Sequence, residues 1–498
     1  MELNVNVKTA FLEGISTTAK PDQARRSMNL KDLKGSVHFA GIGGIGMSAL
    51  ARILLNRGYN VSGSDKQESP ITDELKALGA RICIGHQKEN MEGAGALIIS
   101  TAIVDGNPEL AAAREKNLPI YHRSDMLNYL AREDKLISVT GTHGKTTTTA
   151  LVGQVLLECG LDPSIVVGGI FHHIGANSRT GKGGYFVAES DESDGTHVKS
   201  HSFASVITNI EPDHLENYPG GMKEILASME TFVTNTEAFC LVCTDDGGVK
   251  QLLSGLSEDN LKKIVSYGKY KEGVAPGELP NYSFKSLPGF DMLVFKGGKE
   301  LGKVSLRVPG DHNRYNATAA IALAMELDKS FSDAARAISE FRGVDRRFQL
   351  IGQVGDLLVV DDYAHHPTEV AALLKAAQEF KKVERSGKGR VVCIFQPHQP
   401  GRLRDLWQEF TTAFDQADQA FISDIYIARG GAIEGISSEA FVKSVKNSHT
   451  HYLPGLVNDL AKNLKPFLQE GDLVLTVGAG DITKVGPELV ELLQKEGL

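Results

Sequence analysis

Short apolar runs alternate with amphipathic stretches along most of this chain. The run Ser36–Ala40 is followed by a glycine-rich turn, and Met47–Asn56 place apolar side chains at helical spacing. Further apolar runs occur at Asn60–Asp65 and Ala96–Ser100. Strands that alternate with helices in this way form parallel sheets with helices on both faces. The pattern therefore predicts the α/β fold class for the first part of the chain.

The same alternation restarts twice further along. The runs that indicate strands are Lys135–Val139, Gly184–Ala188, Ala204–Thr208, Asp356–Asp362, Arg390–Phe395 and Asp472–Val477, and helical periodicity returns at Thr146–Leu157, Asn316–Glu326 and Asp333–Glu340. At 498 residues the chain is also too long for one hydrophobic core. We predict a polar extension and three α/β domains, with bounds at 1–34, 35–134, 135–341 and 342–498.

The overall composition is that of an ordinary globular protein, with 41% hydrophobic and 23% charged residues. A net charge of -9 argues against broad binding to nucleic acid or to a membrane surface, which requires a basic face. The N-terminal residues lack the apolar region of a signal peptide, and no apolar run approaches the roughly 18 residues that span a bilayer. We therefore expect a cytoplasmic protein without membrane insertion.

The five cysteines are too few and too scattered for a disulfide framework. Cys240 and Cys243 form a C-x-x-C pair inside the apolar run Ala238–Cys243. A zinc site would need a second pair of cysteine or histidine ligands nearby, and the sequence offers none. We interpret the pair as part of a buried strand rather than as a metal or redox site.

The first glycine-rich turn, Gly41–Gly46, is typical of a phosphate-binding turn, and Asp65 follows it about twenty residues later. Glycines allow the backbone to approach a diphosphate, and the following helix N-terminus supplies amide donors and a positive dipole. The pattern is equally compatible with a dinucleotide and with a nucleotide sugar. A tight turn with a purely structural role is the remaining alternative.

A second loop, Gly141–Thr146, lies between a predicted strand and a predicted helix. Its backbone amides can surround phosphates, Lys145 can pair with phosphate oxygens, and a threonine hydroxyl can bind Mg²⁺. The loop departs from the strict Walker A pattern because Val139 stands where that pattern has its first glycine. The compressed form G-T-x-G-K-T nevertheless indicates a nucleotide triphosphate site.

Two acidic runs, Glu189–Asp194 and Asn209–His214, each follow a predicted strand of the second unit. Carboxyl ends of parallel strands meet at one edge of a sheet, and Mg²⁺ prefers hard oxygen ligands. We therefore expect both runs near the phosphate loop. Other polar runs are equally compatible with turn chemistry and with function: Asp311–Asn316, Asp345–Phe348, Asp361–Pro367 and Gln396–His398.

Taken together, these segments resemble the Mur ligase family, the amide-forming enzymes of peptidoglycan precursor synthesis. The resemblance runs from about Val37 to the C-terminus. It rests on GIGGIGMS (Gly41–Ser48), GTHGKTTT (Gly141–Thr148), ESDESD (Glu189–Asp194), NIEPDH (Asn209–His214), HNRYNATAA (from His312), DRRFQ (from Asp345), DDYAHHPTE (from Asp361) and GAGDI (Gly478–Ile482).

The resemblance implies an N-terminal Rossmann-like domain for the UDP-sugar, a central P-loop ATPase-type parallel sheet, and a C-terminal Rossmann-like domain for the amino acid. It implies ATP, UDP-N-acetylmuramate and L-alanine as substrates, and Mg²⁺ as the metal. The carboxylate would attack the γ-phosphate to form an acyl phosphate, and the amine would then displace phosphate. The oligomeric state and the group that accepts the proton of the amine cannot be read from the sequence.

Site residues carry over by motif. The ATP-binding set is Gly141, Thr142, His143, Gly144, Lys145, Thr146, Thr147, Asn313, Asn316, Arg347 and Asp362. The UDP-sugar set is Gly41, Gly43, Gly44, Gly46, Met47, Ser48, Asp65 and Asn177. Tyr363, His398 and Arg402 would bind the amino acid, Thr146, Glu189 and His214 the metal, and Lys145, Arg347, His214 and Glu189 would be catalytic.

One departure from the family pattern concerns the amino-acid site. The family usually reads F-Q-P-H-R-Y-x-R where this chain has Phe395–Arg402, so Gln399 stands in place of an arginine. A neutral amide binds a carboxylate more weakly than a bidentate guanidinium does. Arg402 and Arg404 are close enough in sequence to compensate. Ala364 in place of the usual glycine has no functional interpretation.

Three other functions compete with this one. A related ligase could attach a tripeptide to the same UDP-sugar, which would require a roomier third domain. A nucleotide-dependent dehydrogenase would explain the first glycine turn but not the loop that carries Lys145. A non-catalytic ATP-binding switch would not release ADP in response to a UDP-sugar and an amino acid.

Overall fold

The computed structural model describes residues 28–30, 33–428 and 431–496. Most of the predicted polar extension, 1–34, lies outside these residues. In its described part, Leu30 is only 3% exposed and belongs to the first hydrophobic core. The backbone N–H of Leu30 donates to the hydroxyl of Tyr129 at 3.2 Å.

The first sheet contains five parallel strands in the order β3-β2-β1-β4-β5. Its strands are β1 Ser36–Ala40, β2 Val61–Asp65, β3 Arg81–Ile84, β4 Ala94–Ile99 and β5 Ile120–His122, and its helices are α1 Ile45–Asn56, α2 Pro70–Ala77, α3 Pro108–Glu115 and α4 Arg123–Ala131. The central strand β1 is buried over residues 37–40. Helices on both faces explain why its side chains are buried in succession rather than in alternation.

The second sheet contains ten strands in the order β15-β14-β13-β12-β11-β10-β6-β9-β7-β8. Its strands are β6 Lys135–Thr140, β7 Ser164–Phe171, β8 Ala176–Arg179, β9 Tyr185–Glu189, β10 Ser202–Ile207, β11 Thr236–Cys243, β12 Ile264–Lys269, β13 Tyr282–Ser286, β14 Asp291–Lys296 and β15 Lys299–Ser305. The helices of this part are α5 Lys145–Glu158, α6 Thr196–Lys199, α7 Met222–Thr234, α8 Gly247–Gly255, α9 Glu258–Leu261, α10 Asp311–Glu326 and α11 Phe331–Ser339.

The third sheet contains six strands in the order β16-β17-β21-β18-β19-β20, and only the pairing of β16 with β17 is antiparallel. Its strands are β16 Gln349–Val354, β17 Leu357–Asp362, β18 Val391–Phe395, β19 Gln419–Ile422, β20 Thr450–Tyr452 and β21 Leu473–Val477, and its helices are α12 Pro367–Glu384, α13 Pro400–Asp405, α14 Trp407–Ala413, α15 Ser438–Ser444, α16 Val457–Leu464 and α17 Val485–Glu496.

The predicted α/β architecture with three parallel-type sheets is confirmed. Cys240 and Cys243 both lie buried in β11, and burial raises the pKa of each thiol to about 12, as expected for core residues. The helix predicted from Asn316 begins earlier, at Asp311. Neither β14 nor β15 was predicted from the sequence: β14 has an apolar run of only four residues, Met292–Phe295, and polar and charged residues interrupt the apolar pattern of β15.

The described residues divide into two compact units. The first contains those up to Phe284 together with Val294–Leu301 and Asn316–Ile338. The second contains Lys285–Leu293, Gly302–Tyr315 and the described residues from Ser339 onwards. Across the described part of the chain, no helix combines the length and the apolar character needed to cross a membrane.

Candidate active site

The loop Gly141–Gly144 joins β6 to α5 in the first compact unit, and its backbone requires glycine at both ends. Gly141 has φ 126° and Gly144 has φ 80°, values that favour glycine. A Cβ on Gly141 would also collide with the hydroxyl of Thr208. The loop is therefore fixed by close packing as well as by backbone conformation.

The end of β10 holds this loop from the side. The carboxamide of Asn209 accepts a hydrogen bond from the backbone N–H of His143 at 2.8 Å and donates to the carbonyl of His143 at 3.0 Å. Thr208 donates to the same carbonyl at 2.6 Å. The predicted proximity of the run that begins at Asn209 to the phosphate loop is thus observed.

Lys145 begins α5 and is turned back over the loop. Its ammonium donates to the carbonyls of Gly141 at 2.7 Å and Thr142 at 3.1 Å, and to the carboxylate of Glu192 at 2.9 Å. Burial alone would lower the pKa of Lys145, but the carboxylates of Glu192 and Asp191 outweigh it and raise that pKa. The ammonium therefore stays charged.

Thr146 and Glu189 lie beside the loop and are hydrogen-bonded to each other. The hydroxyl of Thr146 and the backbone N–H of Gly168 both donate to one carboxylate oxygen of Glu189, each at 3.0 Å. Glu189 is the last residue of β9 rather than the residue after it. A hydroxyl and a carboxylate are the donor types that Mg²⁺ prefers, so these two residues fit the predicted metal.

His214, the third predicted metal ligand, lies in a loop tied to the segment that carries Glu192. The hydroxyl of Tyr218 donates to the carbonyl of Glu192 at 2.6 Å, and the carboxamide of Asn217 donates to the carbonyl of Ser193 at 2.9 Å. Burial raises the pKa of Glu192 to about 7, although the positive charge of Lys145 and the imidazole of His214 both lower it. The structure therefore places His214 in the electrostatic surroundings of the loop.

The two predicted asparagines of α10 have different surroundings. The carboxamide of Asn316 lies against the phosphate loop, where a Cβ on Gly144 would be 2.9 Å from its oxygen. The carboxamide of Asn313 instead donates to the carbonyl of Pro309 at 2.7 Å, close to the start of its own helix. Asn316 is thus placed at the loop, whereas Asn313 stabilises the helix start.

The first glycine turn is closed by hydrogen bonds to the end of β2. Gly41, at φ 76°, and Ile42 donate their backbone N–H groups to the carbonyl of Ser64 at 2.8 and 2.9 Å. The carboxylate of Asp65 accepts from the N–H of Gly43 at 2.8 Å. Asp65 therefore stabilises the turn.

Asn177, on β8, reaches the start of α1. Its carboxamide donates to the carbonyl of Ile45 at 2.6 Å and to the hydroxyl of Ser48 at 2.8 Å. Asn177 and Ser48 are both fully buried, and Met47 belongs to the first hydrophobic core. Asn177 therefore joins β8 to the end of the turn and the start of α1, where Met47 and Ser48 are buried.

A buried carboxylate beside this turn was not foreseen from the sequence. Glu109, at the start of α3, is fully buried and accepts hydrogen bonds from Asn90 at 2.6 Å and Ser64 at 2.7 Å. His86 lies 3.1 Å and His38 3.7 Å from its oxygens. Burial raises the pKa of Glu109, but the contacts with His38, Asn90 and Ser64 outweigh it and lower that pKa to about 2.

In the second compact unit, Asp362 ends β17 and is fixed by two backbone donors. Phe348 and Ala364 donate their N–H groups to its carboxylate at 2.7 and 2.8 Å. Burial raises the pKa of Asp362 to about 6, although the positive charge of Arg347 lowers it. The guanidinium of Arg347 also lies 5.2 Å from the ring centre of Tyr363. Three predicted residues, Arg347, Asp362 and Tyr363, thus lie together.

A row of rings follows the carboxyl edge of the third sheet. Tyr363 packs edge-on against His365 at 5.2 Å, His365 against His398 at 6.1 Å, and His398 stacks on Tyr426 at 5.6 Å. The predicted residues Tyr363 and His398 therefore belong to one surface. The sequence had not identified Tyr426, because no local motif connects the end of β19 with His398.

Gln399 and Arg402 lie at the start of α13, next to this row. Gln399 has φ 72°, and its backbone N–H donates to the carbonyl of Tyr426 at 2.9 Å. Arg402 is within α13, which begins at Pro400. Gln399, which stands in place of the expected arginine, is thus bonded through its backbone to Tyr426, whose ring stacks on His398.

Comparison with known proteins gives matches along most of the chain. Three family models match in succession, described as Mur ligase family, catalytic domain (residues 36–135), Mur ligase middle domain (139–324) and Mur ligase, glutamate ligase domain (346–480). The UDP-N-acetylmuramate--L-alanine ligase of Geotalea daltonii is 40% identical over 464 residues, 92% of this chain and 98% of that protein. The protein of the same name from Myxococcus xanthus is 41% identical over 465 residues, 92% and 95% of the two chains.

Solved structures are also similar. The UDP-N-acetylmuramate-alanine ligase of Thermotoga maritima gives a TM-score of 0.77 at 32% identity, and the match covers 93% of this chain and 99% of that one. A murein peptide ligase of Psychrobacter arcticus gives a TM-score of 0.69 at 22% identity, covering 92% and 98% of the two chains. At that lower identity the second likeness shows a common fold alone.

Proposed function

This chain belongs to the Mur ligase family, and we propose that it uses ATP to join L-alanine to the lactyl carboxylate of UDP-N-acetylmuramate, with release of ADP and phosphate. The substrates are those named for the relatives that are 40% and 41% identical over most of both chains. A ligase that attaches a tripeptide is the second candidate. The peptide ligase is only 22% identical to this chain, so the alanine ligase is favoured.

Two observations support the first half-reaction. The loop Gly141–Gly144 is held in place by Thr208 and Asn209, and the charged ammonium of Lys145 lies over it. Lys145 would exchange the carboxylate of Glu192 for phosphate oxygens of ATP. Thr146, Glu189 and His214 would hold Mg²⁺, which when bound would cancel part of the charge that develops on the phosphoryl group. Phosphoryl transfer requires alignment and charge stabilisation rather than covalent help from the protein.

In this first half-reaction the lactyl carboxylate attacks the γ-phosphorus and ADP leaves, which gives an acyl phosphate. Arg347 would stabilise the transferring phosphoryl group, and Asp362 would bind near the ribose. Asn313 and Asn316 are proposed to contact the adenine. The contact of Asn316 with Gly144 supports a role nearer the phosphates for Asn316 than for Asn313.

In the second half-reaction the amine of L-alanine attacks the acyl carbon and phosphate leaves. Tyr363, His398 and Arg402 would bind the amino acid at the row of rings. The turn Gly41–Gly46, supported by Asn177, would hold the UDP-sugar. A cytoplasmic location is part of the same proposal, because ATP and the nucleotide sugar must both reach the enzyme.

The test is an ADP-release assay with purified protein and a panel of acceptors. Release that requires both UDP-N-acetylmuramate and L-alanine would support the proposal. Release that is faster with a tripeptide than with L-alanine would instead favour the peptide ligase. ADP release at the same rate with and without the UDP-sugar would contradict both ligase functions. So would the absence of ADP release with every acceptor.

A further inference from the structure

Arg123 is the first residue of α4, and its guanidinium connects two parts of the first compact unit. Its Nε donates to Asp194 at 2.6 Å, and its Nη2 donates to Asp191 at 2.9 Å. Asp194 is almost fully buried, whereas the side chain of Arg123 is 26% exposed. Two carboxylates of the loop between β9 and α6 thus fix the plane of the guanidinium at the start of α4.

The remaining nitrogen of this guanidinium faces the first glycine turn. A Cβ on Gly46 would lie 3.0 Å from Nη1 of Arg123. The φ of Gly46 is not positive, so the backbone conformation does not itself require glycine there. Glycine at position 46 therefore leaves space for the guanidinium at the N-terminus of α1.

The same guanidinium is connected electrostatically to the phosphate loop. Asp191 pairs with Arg123 at 2.9 Å, and the next residue, Glu192, pairs with Lys145 at 2.9 Å. The segment 191–192 thus joins a cation at the glycine turn to a cation at the loop. An anion bound at the turn would accept a hydrogen bond from Nη1 of Arg123, whose Nε and Nη2 already donate to the two aspartates.

We propose that Arg123 is a binding residue for the nucleotide sugar and that its Nη1 donates to an anionic oxygen of that substrate at the glycine turn. The inference rests on the proposed function, because it takes the UDP-sugar as the occupant of this turn. Two groups of the substrate have the required chemistry: the diphosphate and the lactyl carboxylate. A fixed guanidinium is well suited to either, since it donates in a rigid plane.

The experiment measures dissociation constants by calorimetry for UDP, UDP-N-acetylmuramate and ATP. The variants are Arg123→Gln and, as a matched control, Arg114→Gln, which removes an exposed arginine on α3 that pairs with Asp105. Loss of one charge-assisted hydrogen bond corresponds to about tenfold to a hundredfold weaker binding. We expect that loss for UDP-N-acetylmuramate with Arg123→Gln, a smaller loss for ATP because Arg123 is connected to the phosphate loop indirectly through the segment 191–192, and unchanged control values.

The comparison of ligands identifies the group that is bound. An equal loss for UDP and UDP-N-acetylmuramate would assign the contact to the diphosphate, and a loss confined to UDP-N-acetylmuramate would assign it to the carboxylate. If a folded Arg123→Gln protein binds all three ligands like the wild type, Arg123 only bridges the two sheets and the inference is wrong. If the wild type itself does not bind UDP-N-acetylmuramate, the proposed function fails instead.

A second variant covers the case in which Arg123→Gln does not fold. Gly46→Ala keeps the arginine and both aspartates but places a methyl group 3.0 Å from Nη1, so the guanidinium must shift away from the turn. We expect weaker binding of UDP-N-acetylmuramate and unchanged binding of ATP. Wild-type affinity for the nucleotide sugar in this variant would overturn the inference.

Discussion

Replacing Glu109 by glutamine should weaken the first sheet by an amount that the structure allows us to estimate. The carboxylate is fully buried and accepts hydrogen bonds from Ser64, on β2, and from Asn90. Ser64 in turn receives the N–H groups that close the first glycine turn. Glu109→Gln keeps the shape of the side chain but removes the charge on which these donors converge.

The magnitude follows from the pKa of Glu109. The difference between its usual pKa of 4.5 and about 2 in the folded protein corresponds to about 3 kcal/mol, at about 1.4 kcal/mol per pH unit. Because the pKa is lowered, this stabilisation is complete above pH 4.5 and is lost as the pH falls from 4.5 towards 2. At neutral pH the Glu109→Gln variant should therefore lack most of this stabilisation.

The assay is native-state hydrogen exchange of the peptides that cover β1 and β2, because the chain has more than one compact unit and a single global unfolding energy would mix them. Glu115→Gln is the matched control, since Glu115 ends the same helix, α3, and is 63% exposed in its pair with Lys88. We expect a loss of about 2–3 kcal/mol for Glu109→Gln and under about 0.5 kcal/mol for the control. Equal losses in the two variants would refute the reasoning.

Three further predictions concern the active site. Gly141→Ala should abolish ATP binding, because its φ of 126° disfavours alanine and the methyl group would collide with Thr208; wild-type ATP affinity would contradict the loop geometry. Gln399→Arg should lower the KM for L-alanine, since a guanidinium binds a carboxylate more strongly than an amide does; an unchanged KM would show that the missing charge is irrelevant. Chelation of divalent metal should stop ADP release and excess Mg²⁺ should restore it, whereas metal-independent turnover would argue against the ligand pair of Thr146 and Glu189.

The strands, helices and glycine-rich loops that the sequence predicted well are those encoded locally. The loop Gly141–Gly144 and the turn at Gly41 combine an apolar strand, glycines and a helix within a short span, so each could be recognised without the fold. The acidic run after β9 was placed near the loop by topology alone. The three-sheet architecture followed from the repeated alternation of apolar runs and helices.

What the sequence could not provide depends on pairs of residues far apart in the chain. Arg123 and Asp194 are separated by 71 positions, and neither belongs to a motif with the other. The stacking of Tyr426 on His398 likewise depends on the pairing of β18 with β19. The contacts of Arg123 and Tyr426 therefore depend on the three-dimensional fold and could not be predicted from local sequence.

The proposed reaction is tested most directly by following oxygen from the acceptor carboxylate. UDP-N-acetylmuramate labelled with ¹⁸O in its lactyl carboxylate would be turned over with ATP and L-alanine, and the phosphate and the nucleotide products analysed by mass spectrometry. If the carboxylate attacks the γ-phosphorus and the amine then displaces phosphate, one labelled oxygen appears in the phosphate, the other stays in the amide, and ADP carries none. Unlabelled phosphate accompanied by ADP would show that water, rather than the carboxylate, receives the phosphoryl group, and would contradict the proposed mechanism.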